Sequence, residues 1–391
     1  MGVFQNQIMA GAAGAGGGGY TLWGWGAPNT GNLGLGNTTT YNTPQQVGDL
    51  DDWTPMVAME ANHTHAIKSD GTLWFVGGTG SMRGDGSNSG VSSPIQIGSA
   101  TNWTYVGAGY GKAYATNKSG ELWVWGTGAE GALGTGNTTT QSSMVQVAGT
   151  TWAAAAGSNE HTIALRTDGT IWGWGNGGGG RTWHNNTTDY SSPVQGVGST
   201  EWWGPRGSVD QADGWETGVE TAKTFGYSQG YWHSMCIDEN GKLWGAGGGV
   251  AGSTAIAGSN TSPRQVGTDT TWTNLSCHAF GGVGINDGTM TCWGGYNFAG
   301  EFGANNKTYG EGILIEWDGT ATDCAKGSNL YYQATNHTIQ GGTIYFCGQN
   351  ASGSGGKGNN TNYSSPVQGP SGSSWVKVVA GETCTMGVKK G

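Results

Sequence analysis

Four histidines, His63, His161, His233 and His337, are each followed by Thr or Ser. An imidazole beside a hydroxyl is the raw material of acid–base or nucleophilic chemistry, but a catalytic histidine is needed once, not four times. Their recurrence at equivalent repeat positions points to a structural task, a hydrogen bond at a strand end. His65, His184 and His278 are scattered, with no Cys or Asp at ligand spacing, so no metal site is expected. The six cysteines (236, 277, 292, 324, 347, 384) contain no Cys-x-x-Cys pair. Cys236 aligns with Ala164 and Cys347 with Trp174, which reads as buried free thiols and no disulfide.

Other short patterns lose their chemistry when set in context. Arg83-Gly84-Asp85 has the form of an adhesion tripeptide, yet it aligns with Leu33-Gly34-Leu35 of a recurring loop. The glycine runs, such as 175–180, have no Gly-Lys-Ser/Thr after them, and Lys357 lacks a following hydroxyl, so a phosphate loop is excluded. Asn-x-Thr triplets such as Asn37-Thr38-Thr39 match the glycosylation pattern only because the loop repeats.

One stretch breaks the repetition. Between residues 199 and 222 the chain carries Glu201, Trp202, Trp203, Asp210, Asp213, Trp215, Glu216 and Glu220. Indoles between carboxylates can stack on a sugar or grip a basic protein patch, and long loops on rigid scaffolds commonly carry function. Trp202, Trp203, Asp210, Asp213, Trp215 and Glu216 are therefore the candidate binding residues, against the plainer reading of a decorated, packed loop. Paired carboxylates also serve glycoside hydrolysis, but no spacing here selects a pair. Nothing calls for a cofactor.

The elements that would position these residues repeat. Asp168-Gly169-Thr170-Ile171-Trp172-Gly173-Trp174-Gly175 reads as a tight turn, both of whose central residues take positive φ, then a strand whose alternation puts Trp172 and Trp174 on one face. Related copies occur at 22–26, 70–77, 119–126, 240–247, 287–294 and 341–348, seven in all. The spacing is about 50 residues, except that Ile171 to Leu243 runs about 23 longer than its neighbours, the excess being the 199–222 stretch. Four short strands per unit, with no 3.6-residue period, describe the blades of an all-β propeller. The first unit lacks its two leading strands, and Trp375 to Lys390 supplies them. Both termini are expected in one blade, two strands from each, closing the ring without edge strands.

Leu33-Gly34-Leu35-Gly36-Asn37, Leu133-Gly134-Thr135-Gly136-Asn137, the His-Thr strands and the Trp-Gly strands resemble the repeats of the regulator of chromosome condensation family. The resemblance covers residues 20–391 and implies a seven-bladed β-propeller. It implies little about activity, because that superfamily includes an exchange factor for a small GTPase, a plant photoreceptor and a bacterial enzyme inhibitor. The tryptophans here sit where packing between blades explains them, so light sensing is not expected.

Composition narrows the partners. The 79 glycines follow no Gly-X-Y period, and 20 tryptophans give the chain enough to bury. With 11% charged residues, a net charge of −10 and no Lys/Arg patch, nucleic acid is not expected. No apolar run is long enough to insert in a membrane, and neither a basic leader nor an apolar leader core opens the chain. Met1-Gly2 begins like a myristoylation site, but Asn6 stands where Ser or Thr is expected.

Residues 1–19 read as a Gly/Ala-rich tether with one apolar cluster, Val3, Phe4, Ile8 and Met9. The opening Val3-Phe4-Gln5-Asn6-Gln7-Ile8, followed by Gly11-Ala12-Ala13-Gly14, is similar to those of virion appendage proteins of tailed phages. That resemblance implies a non-enzymatic phage structural protein, located on the virion or otherwise in the cytoplasm. Val3, Phe4, Ile8 and Met9 would anchor it to other virion subunits, and the propeller would meet a host surface glycan or protein. The alternatives are an interaction propeller of the regulator of chromosome condensation type, including exchange on a small GTPase, and a carbohydrate-binding or carbohydrate-active protein.

Overall fold

The structure, a computed structural model, describes residues 19–28, 30–197, 233–238, 240–247, 260–278, 281–294, 315–328 and 334–391. Seven antiparallel blades are present among them. Blade 1 combines Trp375–Ala380 and Cys384–Lys390 with Tyr20–Gly26 and Tyr41–Gln46. Blade 2 is Trp53–Glu60, His63–Lys68, Leu73–Gly77 and Val91–Gln96; blade 3 is Trp103–Gly109, Lys112–Asn117, Leu122–Gly126 and Gln141–Gln146. Blade 4 is Trp152–Gly157, His161–Arg166, Ile171–Gly175 and Tyr190–Gln195. Three strands of blade 5 are described, His233–Ile237, Leu243–Gly247 and Asn260–Gln265. Blade 6 contains Trp272–His278, Gly281–Asn286, Thr289–Gly294 and Ile315–Glu316; blade 7 contains Ala321–Ser328, Ala334–Gln340, Thr343–Gly348 and Tyr363–Gln368. The two-plus-two closure is as expected: Tyr20 through Gly26 pair in register with Lys390 back to Cys384.

Because the strands alternate in direction, the connections sort to two ends. One end holds the loops between first and second and between third and fourth strands. The other holds the hairpins between second and third strands and the links from blade to blade. They are called here the latch end and the turn end.

What joins the blades explains the Trp-x-Trp-Gly strand. Its second tryptophan is fully buried and donates its indole N–H across the junction to a loop carbonyl of the preceding blade. Trp25 reaches Ser354 O (2.7 Å), Trp125 reaches Met82 O (2.7 Å) and Trp174 reaches Ala132 O (3.0 Å). The Thr or Ser after the strand-end position adds a second bond at the same carbonyl or its equivalent. Thr162 Oγ1 donates to Ala132 O (2.7 Å), Thr385 Oγ1 to Ser354 O (2.9 Å) and Ser234 Oγ to Arg181 O (2.6 Å). Two residues past the carbonyl stands a glycine at positive φ, pressed against the indole. A Cβ on Gly134 would lie 2.7 Å from Trp174 Nε1, and one on Gly356 would lie 2.9 Å from Trp25 Nε1. The recurring Leu-Gly of the loops is there because only glycine admits that ring.

Blade 4 inverts this arrangement. At the glycine position stands Trp183, buried, with φ 65°, and facing it on blade 5 the tryptophan position is taken by Ala246. The indole has crossed the junction: Trp183 packs in one cluster with Cys236 and Ala246 and donates to Ser234 Oγ (2.6 Å). A left-handed φ costs a bulky residue about 1–2 kcal/mol, less than the burial of an indole returns.

Two details differ from the sequence reading. At Asp168-Gly169 only the glycine is left-handed (φ 81°). Gly169 N bonds to Arg166 O (3.0 Å), and Asp168 Oδ1 accepts from Thr170 N and Oγ1 (2.9 and 2.6 Å), so the aspartate acts through its side chain and the loop is one residue longer. Both central residues take positive φ in the two-residue hairpins at Asp287-Gly288 and Gly341-Gly342. The second concerns His337. His63, His161 and His233 pair with Gly77, Gly175 and Gly247, whereas Gly348 pairs with Thr335. His337 therefore lies two residues further in, opposite Phe346, as His65 lies opposite Phe75. A shift of two keeps a side chain on the same face, so the sequence pattern hides it.

The exchanged junction gives a direct test. Trp183→Gly should destabilise by about 3–5 kcal/mol through the cavity left behind. Ala246→Trp alone should overpack the junction. The double variant restores the ordinary Gly–Trp pairing and should recover most of the loss in thermal or denaturant unfolding; additive losses would refute the exchange.

Candidate functional site

At the latch end, the first residue of each second strand sets a series of titratable groups along successive blades: Cys384, His63, Lys112, His161 and His233, all buried. Lys112 is 0% exposed, and its ammonium donates to Asn159 O of blade 4 (2.8 Å). Burial pushes its pKa down to about 7, partly opposed by the neighbouring Glu160 carboxylate. Glu160 also takes Arg181 Nη1 at 3.3 Å, while Arg181 Nε donates to Gly178 O (2.7 Å). Burial lowers His63 to about 4 and His233 to about 3, and takes His161 well below the ordinary imidazole range. These histidines are neutral at pH 7.

The strand-end hydrogen bond expected of the histidines is made by His161, whose Nδ1 meets Ser158 Oγ at 2.7 Å. Both ring nitrogens of His233 are buried without a hydrogen-bond partner among the described residues. His337 and His65 instead use Nε2 on Ser354 O and Met82 O, each 3.1 Å away. These are the carbonyls that already hold Trp25 and Trp125. The series is thus a set of blade contacts with its charges neutralised or paired. His184 Nε2 meets Val194 O (3.0 Å), and the side chain of His278 lies outside the described residues.

The turn end differs. In three blades a cation from the end of the second strand lies over two indoles. Lys68 Nζ is 4.9 and 4.4 Å from the Trp53 and Trp74 rings, and Arg166 Cζ is 4.6 and 3.9 Å from Trp152 and Trp172. Lys389 Nζ is 4.4 and 4.9 Å from Trp375 and Trp23. Each contact contributes about 0.5–2 kcal/mol. Outside these sandwiches the exposed charge is mostly negative: Asp49, Asp51, Asp70, Asp168, Asp269 and Asp287 all lie in turns or links at this end. Leu50, Val197 and Val376, exposed by 57%, 39% and 37%, are the exposed large hydrophobic residues of the described chain, and all three belong to this end.

Trp202, Trp203, Asp210, Asp213, Trp215 and Glu216 lie outside the described residues, as do Val3, Phe4, Ile8 and Met9. The 199–222 stretch follows Val197 at the turn end, and the tail ends at Gly19 there too, where Gly391 N donates to Gly19 O (2.8 Å). In Arg83-Gly84-Asp85 the guanidinium closes on its own aspartate (Nη2 to Oδ2, 2.7 Å), and Gly84 fills the loop glycine position against Trp125. All six cysteines are buried and free. Among the described residues no group of three His, Cys, Asp or Glu could hold a metal, and no helix is long and apolar enough to cross a membrane. The cation sandwiches were missed in the sequence, although Lys68 and Arg166 stand two residues before the turns Asp70-Gly71 and Asp168-Gly169.

Blades, junctions and closure define a seven-bladed β-propeller. Models of the regulator of chromosome condensation (RCC1) repeat match residues 21–67, 119–165 and 153–181. Prp20p from Saccharomyces cerevisiae superposes with a TM-score of 0.75 at 16% identity, over 95% of this chain and 92% of that one. Human WBSCR16 gives 0.74 at 15% identity, over 95% and 100%. Yeast RCC1 (Prp20) in its complex with Kap60 gives 0.74 at 16%, over 95% and 89%. Comparison with curated proteins gives no match. The chain shares the propeller fold of these proteins and carries RCC1-type repeats within residues 21–67 and 119–181.

The buried lysine makes stability depend on pH with a definite sign. Its folded pKa, about 7, lies below the unfolded value of 10.5, so the folded state binds fewer protons between them. Stability therefore rises from pH 7 towards 10.5, and the penalty is complete below 7. Lys112→Met should stabilise the fold by a few kcal/mol at pH 6, on the order of the cost of charging a buried amine, and by little above pH 10. Unfolding midpoints against pH measure it; a gain independent of pH would refute it.

Proposed function

We propose that this chain is a non-enzymatic interaction propeller that binds a protein partner through its turn end. The carrying observation is that the exposed apolar residues Leu50, Val197 and Val376 share that end with the exposed aspartates, while the strand-start series of the latch end, Cys384, His63, Lys112, His161 and His233, is buried in blade contacts. Single apolar side chains amid charge suit a partner offering apolar contacts within a basic surface, since charge complementarity gives specificity and rate. The structural neighbours support the class: Prp20p is described by its binding to Gsp1p and histones, and yeast RCC1 by its complex with Kap60. At 15–16% identity they do not carry a partner across, so the partner's chemistry is read from this surface alone.

A second reading keeps the virion. Gly19 is held at the turn end by Gly391, with its own N–H 3.4 Å from Asp51 Oδ2, so a docked tail would turn the latch end outward. This reading rests on the sequence of residues 1–19. Removing residues 2–10 should leave a folded, monodisperse propeller that no longer enters particles; normal incorporation would end it.

For the first reading, Leu50→Lys combined with Asp49→Lys should abolish capture of the partner from the native host while leaving the melting temperature unchanged. Lys357→Glu, at the latch end, should leave capture intact. Binding should weaken with ionic strength, as an acidic face requires. Capture that survives the Leu50/Asp49 change, or that is lost only with Lys357, would overturn the assignment to this end.

A further inference from the structure

The blades act as internal controls for one another. At blades 1, 2 and 4 the two-indole pair of the turn end carries a cation from its own strand: Lys389, Lys68 and Arg166. Blade 3 keeps the indole pair, with Trp103 and Trp123 centred 6.4 Å apart and nearly perpendicular at 86°. Register places Asn117 opposite Trp103, as Lys68 is opposite Trp53 and Arg166 opposite Trp152. Among the described residues no Lys or Arg stands over this pair.

A second substitution accompanies the first. Two residues before the half-buried indole, blades 1, 2 and 4 have Thr21, Thr72 and Thr170, whose hydroxyls accept that indole's N–H at 2.8, 2.7 and 2.9 Å. Blade 3 has Glu121 there, and the N–H of Trp123 is buried with no partner. The exchange forfeits an internal hydrogen bond and sets a carboxylate beside the indoles. Glu121 Oε2 is held by Asn117 Nδ2 at 2.6 Å, and both Glu121 and Trp123 remain partly exposed. Blade 5 solves the same position differently: Asp238 replaces the cation and accepts the Trp244 N–H itself (2.9 Å). Of blades 1 to 4, blade 3 alone combines an indole pair, a neighbouring carboxylate and no cation of its own among the described residues.

We infer that the Trp123 face and Glu121 of blade 3 form a binding site for an external alkylammonium group, the side chain of a lysine or methylated lysine on the partner. The chemistry is that of the neighbouring blades, with the cation supplied in trans: the ring quadrupole attracts the ammonium, methylation lowers its hydration, and the carboxylate supplies the counter-charge. Only the assignment of the ammonium to a partner rests on the function proposed above; the site stands or falls without it.

The test uses the full chain labelled with 5-fluorotryptophan, the Trp123 resonance being assigned by Trp123→Phe. Tetramethylammonium should shift that resonance saturably, and sodium at equal ionic strength should not. Glu121→Gln should weaken the binding at least tenfold. Asn117→Lys, which recreates the Lys68 arrangement, should abolish it with the melting temperature unchanged or raised. A peptide bearing trimethyllysine that binds more tightly than tetramethylammonium assigns the site to a partner side chain; equal affinity assigns it to a free small cation and leaves the partner-binding reading to its own capture test. A resonance that sodium moves equally, or a tetramethylammonium shift that persists in Asn117→Lys, overturns the site.

Discussion

A single carbonyl in the third-to-fourth-strand loop, seen in blades 1, 2, 3, 4 and 7 among the described residues, is the constraint on which the ring depends. The next blade brings two donors to it where the full motif is present. Ala132 O takes Trp174 and Thr162, and Ser354 O takes Trp25 and Thr385. The second of these also closes the molecule, because Trp25 comes from the start of the chain and Thr385 from its end. Each bond contributes only about 0.5–1.5 kcal/mol net, but leaving such a buried group unpaired would cost about 1–3. The junction is therefore specific more than it is strong. Most of the stabilisation comes from the indole it aims into the next blade's loop, an area of about 150–250 Å² per ring.

That constraint also divides the two ends of the molecule. Strand starts at the latch end are committed to neighbouring blades, so Cys384, His63, Lys112, His161 and His233 are buried there, and burial moves their pKa values. A catalytic reading of the histidines would need an accessible imidazole near its ordinary pKa; His63 and His233 are buried and lie near 4 and 3. At the turn end nothing equivalent is demanded. Hairpins and links are free to vary, which is why blades 1 to 5 hold Lys389, Lys68, Asn117, Arg166 and Asp238 at one position on an unchanged scaffold. Variation of this kind, on a rigid frame, is where recognition can be built.

The repeats, the number of blades and the closure by both termini were legible in the chain because each is a matter of spacing, and a strand's alternation and a turn's glycine are local properties. Cys236 and Cys347 were readable as packing residues for the same reason. The roles within the motif were not. In the chain His-Thr looks like a histidine with a companion, whereas the threonine bonds the next blade and the histidine is the more dispensable partner, being Lys112 in blade 3 and Cys384 in blade 1. The phase of His337 was hidden because a two-residue shift preserves the face, and only pairing with Gly348 reveals it.

By itself, then, the sequence determined a seven-fold repetition of four short strands and the positions that must be small, aromatic or turning, since these follow from local geometry. What the tertiary structure decided is everything that crosses a junction. It set Trp183 against Ala246, residues 63 positions apart whose compensation no single repeat displays. It gathered Asp49, Leu50, Asp168, Val197 and Val376 at one end, and laid Lys68, Arg166 and Lys389 over indoles contributed by two different strands. Contacts between blades depend on how neighbouring sheets are stacked about a closed ring, and that closure is a property of the whole chain.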